Sequence, residues 1–267
     1  MSVAIVTGAS VGIGRACALG LAEDGFDVAF TYRAREPEAR AVADAIRDRG
    51  RTAIPCRLDL LAPTEAVEAT AARLIERAGT PDLLVNNAGV SPRVAFLDES
   101  VDRLERTLRL NLTMPFLLGQ LVAQTMIAAG RPGRIVNVTS VLAALPLEAC
   151  GAYCASKAAL AMITRVQALE LVGHGILVNA VAPGHTATPM NYGDDAHAAE
   201  GRSWRAIPLR RPARPEEVAA AVRFLASGRA GYLTGTTITV DGGLSLPNGP
   251  GALQAEMGLP PAPASLA

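Results

Sequence analysis

The sequence predicts an α/β protein, a single domain in which a sheet is covered by helices, and three observations lead there. Strand-like runs at residues 3–7, 27–32, 52–58, 82–85, 134–139, 175–181 and 235–240 alternate with helical patterns along the chain. The first run is apolar without polar alternation, as expected for a strand buried on both faces. It passes at once into Gly8-x-x-x-Gly12-x-Gly14 and then into a helical pattern over residues 15–23 that Gly25 ends. Neither an internal repeat nor a linker interrupts residues 1–243, so they read as one domain, followed by a Pro-, Gly- and Ala-rich tail over residues 244–267.

Composition narrows the function classes. Half of the 267 residues are apolar and 4% aromatic, which suits a large aliphatic core. The 25 Lys and Arg balance the 25 Asp and Glu, so the basic excess of a nucleic-acid binder is absent. No apolar run reaches membrane-spanning length on this reading, and the start of the chain leads straight into a strand without a basic, then apolar, leader. The expected location is the cytoplasm. Cys17, Cys56, Cys150 and Cys154 form no C-x-x-C pair and, with three scattered histidines, no metal-ligand cluster. They read as small packing residues in a reducing compartment.

The glycine turn between strand and helix has a physical use. Glycines let the backbone turn tightly and approach a pyrophosphate, whose charge is met by the N–H groups and dipole of the helix start. In a dinucleotide fold the residue that ends the next strand, here Tyr32, meets the adenosine ribose. No acid stands there to repel a 2′-phosphate, and Arg33 and Arg35 follow, so NADP(H) is favoured over NAD(H). Residues 35–49 read as a charged surface helix. Asp59 closes the third strand, where a carboxylate can accept from an adenine amino group. A helix follows over residues 63–78. The fourth strand runs into Asn86, Asn87, Ala88 and Gly89, and two amides after a buried strand need backbone or ligand partners.

Residues 98–129 make one long helical pattern, apolar nearly all round after Leu108, with Asn111 and Pro115 inside it. Pro115 removes a backbone donor and is expected to bend the helix, and Asn111 needs a freed carbonyl or a water as partner. The pattern over residues 150–172 is apolar on most faces too. Helices apolar all round are buried, and in an α/β layer only another subunit covers their outer face, so an oligomer is expected. Residues 185–209 lose periodicity after a core strand and read as a lid or binding loop. Its His185 either touches substrate or is solvated. Pro215, Glu216 and Glu217 open a further helix, with acids at the positive end of its dipole.

Between the fifth strand and the second apolar helix lie Ser140 and Tyr153-x-x-x-Lys157. A Tyr and a Lys four apart on a helix stack on one face. An ammonium beside a phenol favours the phenolate, so the Tyr153 pKa is expected to fall and the group to serve in proton transfer near neutral pH. Ser140 adds a hydroxyl facing the same point.

Thr7-Gly8-x-x-x-Gly12-Ile13-Gly14, Asn86-Asn87-Ala88-Gly89, Asn111, Ser140, Tyr153-x-x-x-Lys157 and Pro183-Gly184 stand in one order across residues 3–243. Together they resemble the short-chain dehydrogenase/reductase family, closest to its 3-oxoacyl-carrier-protein reductases and glucose-dehydrogenase-like members. The resemblance implies a Rossmann-type, doubly wound sheet of seven parallel strands, a homotetramer paired through the two long helices, and NAD(P)(H)-dependent interconversion of a carbonyl and an alcohol. In that reading Tyr153 is the general acid of reduction, Ser140 bonds the carbonyl oxygen, Lys157 lowers the phenol pKa and binds the nicotinamide ribose, and Asn111 holds a water that returns the proton. Gly8, Gly12, Ile13 and Gly14, with Ser10 in the same turn, hold the pyrophosphate. Asn87, Ala88 and Gly89 hold the far ribose, and Asp59 with Leu60 the adenine. Pro183, Gly184 and Thr188 complete the cofactor contacts, Thr188 reaching the carboxamide. Where some relatives carry a basic residue this chain has Val11, which leaves a 2′-phosphate to Arg33 and Arg35.

The substrate implied is a small carbonyl or alcohol, free or bound to a carrier protein; Arg103, Arg106, Arg109, Arg131 and Arg134 are candidates to greet an acidic carrier. The same residues serve an alcohol or sugar dehydrogenase running in the oxidative direction. A dinucleotide-binding sensor without catalysis would keep the glycine turn but would not need Ser140, Tyr153 and Lys157 together. A lyase or epimerase would need a further acid–base group, and none stands at an identifiable site position. The tail is a candidate to fold over a neighbouring subunit's pocket.

Overall fold

The apolar runs become strands, and the patterns between them become one or two helices each. The computed structural model describes residues 2–193 and 204–246. In chain order the main elements are β1 (Val3–Val6), α1 (Gly12–Glu23), β2 (Asp27–Tyr32), α2 (Glu36–Arg47), β3 (Ala53–Arg57), α3 (Thr64–Ala78), β4 (Leu83–Asn86), α4 (Val101–Leu108) and α5 (Met114–Ala128). Then come β5 (Gly133–Val138), α6 (Gly151–Leu171), β6 (Ile176–Pro183), α7 (Pro189–Tyr192), α8 (Pro215–Ala226) and β7 (Thr237–Val240). The strands form one seven-stranded sheet in the order β3-β2-β1-β4-β5-β6-β7. Every pairing in it is parallel. This is the doubly wound Rossmann-type sheet the sequence predicts.

Successive residues of β1 serve opposite faces, because side chains alternate along a strand. Ala4 and Val6 enter the core beneath α1, α2 and α8, whereas Ile5 enters the core beneath α3 and α5. Both faces are dry, which is why the run is apolar without alternation.

The strand order reverses at β1. From there β2 and β3 lie to one side and β4 to β7 to the other, so the loops after β1 and β4 part and leave a crevice at the carboxyl ends of the strands. One side chain ties the parting ends together. Thr7 is buried, its Oγ1 accepts from the N–H groups of Asn87 (2.9 Å) and Ala88 (3.0 Å), and its carbonyl accepts from Asn87 Nδ2 at 2.9 Å. Asn87 Nδ2 also reaches the Gly8 carbonyl at 3.2 Å. Asn86 Nδ2 donates to the Pro115 carbonyl and to Asn137 Oδ1. Both amide nitrogens thus bond protein groups, while Asn86 Oδ1 is buried without a hydrogen-bond partner among the described residues.

The long helix expected over residues 98–129 is interrupted. A short 3-10 turn at Phe96–Asp98 precedes α4, and a π-helical turn, Arg109–Thr113, separates α4 from α5. The irregularity precedes Pro115 rather than falling on it: in an α-helix the N–H of residue 115 would serve the carbonyl of residue 111, and proline has none. Asn111 is wholly buried and takes partners outside its own helix. Its Oδ1 accepts from Val90 N at 2.9 Å, and its Nδ2 donates to the Val90 carbonyl (2.9 Å) and to Ser156 Oγ (3.0 Å). The expected freed carbonyl or water gives way to a strand-end backbone and a helix hydroxyl.

Against the sequence expectation, the run Val101–Ala128 is long and apolar enough to cross a membrane by length and composition, yet 56% of its apolar window is buried inside this fold. It is a core helix by packing. Of the tail, residues 244–246 continue the turn after β7, and the rest lies outside the described residues, as do residues 194–203 of the expected lid. The described part of that lid holds α7 and a bridge between Thr186 and Ala213.

Thr7→Val keeps the shape of the side chain but removes the acceptor of two N–H groups. A loss of about 1–3 kcal/mol in unfolding free energy is expected, read as a lower urea midpoint, with Thr7→Ser close to the parent.

Candidate active site

A cavity of about 340 Å³ fills the crevice at the parting of β1 and β4. Each strand end contributes to it. Gly8, Ser10, Gly12 and Ile13 come from the turn after β1; Tyr32, Arg33 and Arg35 follow β2; Asp59 and Leu60 follow β3; Asn87, Ala88 and Gly89 follow β4; and Thr188 reaches in from the start of α7. These thirteen residues, all placed against a cofactor by the sequence reading, are therefore brought together here.

The floor of this cavity is an uncapped helix start. Val11, the N-cap of α1, offers no side-chain acceptor, so the first N–H groups of the helix are left for a ligand. Gly14 does not line the cavity but makes the turn possible. A Cβ there would lie 2.3 Å from the Gly8 carbonyl oxygen and 2.5 Å from Asn87 Nδ2. Gly8 itself has a φ of +66°, in the left-handed region. An anion cradle at a helix start, ringed by the ends of four strands, fits a nicotinamide dinucleotide. Gly8, Gly12 and Ile13 would face its pyrophosphate, and Asp59 its adenine end. Asp59 Oδ1 already accepts from Leu61 N at 3.0 Å, which holds the carboxylate in place. Asn87 spends both amide hydrogens on the turn, so its part in ribose binding falls to its remaining groups.

Arg33 and Arg35 differ. Arg35 is half-buried and pairs with Glu38 at 3.4 Å. Arg33 is exposed, and its guanidinium makes no ion pair among the described residues.

A second cleft, about 170 Å³, adjoins the first through Ile13, Asn87, Gly89, Thr188 and Met190. Its walls carry Ser140, Tyr153 and Lys157, with Pro183 and Gly184 at the end of β6. Ser140 follows β5 in an extended conformation, and its Oγ accepts from Leu142 N at 3.1 Å. Tyr153 and Lys157 stand on successive turns at the start of α6, with Lys157 Nζ 5.8 Å from the Tyr153 ring centroid. Lys157 is buried, and its Nζ donates to the Val138 carbonyl at 2.8 Å.

The electrostatics correct one expectation. Burial raises the Tyr153 pKa above the ordinary phenol value, a hydrogen bond from Ser140 opposes the rise, and the flanking Cys154 and Cys150 add to it. Burial also brings the Lys157 ammonium down to about 8. In this structure the cost of charging either buried group outweighs the attraction expected between ammonium and phenolate. The phenol is held protonated rather than poised to ionise.

Asn111 lies behind the cleft instead of lining it. A Cβ on Gly89 would fall 3.1 Å from Asn111 Oδ1 and 3.7 Å from Lys157 Nζ, so both side chains pack against Gly89. Ser156, fully buried, accepts from Asn111 and donates to the Tyr153 carbonyl at 2.7 Å. Sequence reading missed Ser156 and Thr7 as positioning residues. Each is a small hydroxyl inside a motif that was singled out for its neighbours.

Burial pushes up the thiol pKa of Cys150, which lines the cleft, and that of Cys17 to about 12. His185 is not a solvated loop side chain. Its Nε2 bonds Tyr192 Oη, and its ring packs on Trp204 at 4.9 Å between centroids. Of the arginines considered for a carrier protein, Arg109 bonds the Ala62 carbonyl and Thr64, Arg131 pairs with Asp82, and Arg103 pairs with Glu99. Arg134 is half-buried, and its burial depresses the guanidinium pKa.

Comparisons with known proteins agree with this geometry. A family model described as enoyl-(acyl carrier protein) reductase matches residues 8–245. The chain is 43% identical to an uncharacterized oxidoreductase of Escherichia coli strain K12, covering 92% of this chain and 96% of that protein. It is 39% identical to an L-rhamnose 1-dehydrogenase (NAD(P)(+)) of a Sphingomonas species, over 90% of this chain and 94% of the relative. Among solved structures it resembles the acetoin dehydrogenase of Enterobacter cloacae, with a TM-score of 0.85, 43% identity, and coverage of 92% and 96%.

Gly14→Ala tests the cradle. Neither the Gly8 carbonyl nor Asn87 can retreat, so nicotinamide cofactor binding, followed by fluorescence titration, is expected to weaken by about 10-fold or more, equivalent to about 1.4 kcal/mol.

Proposed function

The chain belongs to the short-chain dehydrogenase/reductase family, and we propose that within it this enzyme is an NADPH-dependent carbonyl reductase producing an alcohol from a small ketone. The observation that carries the reading is the convergence of Ser140, Tyr153 and Lys157 on one wall of a cleft that opens directly into the dinucleotide-sized cavity. When bound, the nicotinamide supplies the hydride. The chain's own residues manage the carbonyl oxygen and the proton.

Tyr153, a phenol protonated at neutral pH whose proton burial holds more firmly, donates it to the carbonyl oxygen. The Ser140 hydroxyl, anchored by Leu142 N and bonded to the phenol, holds that oxygen beside it. Below about 8 the Lys157 ammonium offsets the charge that develops on the phenol oxygen as the proton leaves. It also binds the nicotinamide ribose. In this reading Asn111 holds the water that restores the proton. Its side chain meanwhile ties the loop after β4 to α6.

The preference for NADP(H) over NAD(H) rests on Arg33, with Arg35 beside it, in a cavity wall where β2 ends in Tyr32 rather than an acid. A second reading, an NAD(P)⁺-dependent alcohol or sugar dehydrogenase, is favoured by the names of the rhamnose and acetoin dehydrogenase relatives. The same residues serve both directions. The uncovered apolar side chains of α5 (Phe116, Ile127) and α6 (Met162, Val166, Leu169) support pairing of subunits through these helices, read here as a homotetramer, and the cytoplasm is the location that fits a nicotinamide-dependent reductase.

The test is cofactor oxidation over a panel of ketones, oxoacyl thioesters and quinones, NADPH beside NADH. Tyr153→Phe is expected to lose about 10²–10⁴-fold in rate. Arg33→Ala is expected to lose about 10–100-fold in kcat/KM for NADPH with little change for NADH, the worth of a charged hydrogen bond. NADH turnover that exceeds NADPH turnover in the parent would overturn the cofactor assignment.

The pH dependence has a definite sign. The Lys157 pKa is depressed, so its charge is present below about 8 and lost above, while Tyr153 keeps its proton through that range. The kcat/KM for reduction is therefore expected to be flat near neutrality and to fall as pH rises through about 8, measured as a pH–rate profile.

A further inference from the structure

We infer that the substrate is an oxo acid, whose carboxylate is bound by Arg93 at the outer end of the catalytic cleft. This rests on the carbonyl-reductase reading above and narrows it.

The cleft beside Tyr153 holds about 170 Å³, less than the roughly 300 Å³ at which small-molecule sites begin, so part of the substrate extends beyond it. One way leads to the cofactor cavity. The other leads outward to a third cavity of about 380 Å³ lined by Ser91, Arg93, His185, Met190, Asn191, Tyr192 and Trp204. The first five of these also line the catalytic cleft, so the two spaces are continuous.

Among the described lining residues of this joint space the charge has one sign: there is no Asp or Glu, and the charged side chains are Lys157 and Arg93. Lys157 is committed to Val138 and to the neighbourhood of Tyr153. Arg93 makes no hydrogen bond or ion pair with any described residue, whereas Arg103, Arg109, Arg131, Arg211 and Arg223 elsewhere on the molecule are all bonded. Its charge nevertheless reaches the cleft wall, where it opposes the rise of the Cys150 thiol pKa.

The backbone under Arg93 is held in place. Val94 N donates to the Ala149 carbonyl at 2.8 Å, which ties the Arg93 segment across the cleft to the residue before Cys150. Ala149 has a φ of +59°, left-handed backbone that a non-glycine residue adopts only under constraint. A cation whose main chain is fixed over the mouth of the cleft, with its side chain unspent, is set to receive an anion. A single planar guanidinium matches a carboxylate in two parallel hydrogen bonds, and Ser91 stands beside it as a further donor. No second cation lines the outer cavity among the described residues, which favours a carboxylate over a phosphate dianion.

The experiment uses the full-length protein and a ladder of straight-chain oxo acids, each beside its own methyl ester, which keeps the carbonyl and removes the charge. At one or more chain lengths the acid is expected to exceed the ester in kcat/KM by about 10-fold or more. In Arg93→Met that acid-to-ester ratio is expected to fall about 10–100-fold, with the loss in KM, because the contact is equal in ground and transition states. Arg93→Lys is expected to keep an intermediate ratio. Esters reduced as well as acids at every length, or an unchanged ratio in Arg93→Met, would overturn the inference and leave the reductase reading intact. No turnover of acids, esters or neutral ketones by protein that binds the cofactor would overturn both.

Discussion

The site depends on one constraint, the closure of the gap where β1 and β4 part. Parallel strands whose connections leave to opposite faces must diverge at their carboxyl ends, and the divergence exposes backbone groups that the sheet no longer pairs. Thr7 and Asn87 take up those groups between them. The crevice is held open by the same bonds that keep it from fraying. Gly8 and Gly14 are small for the same reason, since the turn, the Asn87 amide and the start of α1 meet within van der Waals distance.

From that crevice the chemistry extends along β4, β5 and β6 in order. The loop after β4 is clamped by Asn111, the loop after β5 presents Ser140, and the end of β6 closes the far wall. The clamp explains the break in the central helix. Asn111 reaches Val90 and Ser156 from a π-helical turn, and the missing N–H of Pro115 weakens the regular ladder at that point. Ser156 then passes the connection to the Tyr153 carbonyl, so the loop after β4 and the first turn of α6 hold one geometry.

Burial gives Tyr153 and Lys157 their properties. Removing each from water favours its neutral form, which keeps the phenol protonated and brings the ammonium to the edge of physiological pH. A proton donor that retains its proton until a carbonyl oxygen arrives suits reduction. Farther out, the cleft opens into a space lined by His185 and Arg93, the residue we propose to bind the substrate's far end.

Much of this was legible in the sequence because it depends on local pattern. Apolar runs without alternation specify strands covered on both faces, glycine spacing specifies a turn before a helix, and Tyr153 and Lys157 four apart specify one helical face. Those are properties of short stretches of backbone. Pairings between distant segments were decided only by the tertiary structure: Thr7 with Asn87, Asn111 with Val90 and Ser156, and Val94 with Ala149. So was the direction of the Tyr153 shift. Spacing reports that an ammonium is near, while desolvation depends on everything packed around both groups. The same holds for the apolar run Val101–Ala128, whose composition suits a membrane or a core equally, and which burial against the sheet assigns to the core.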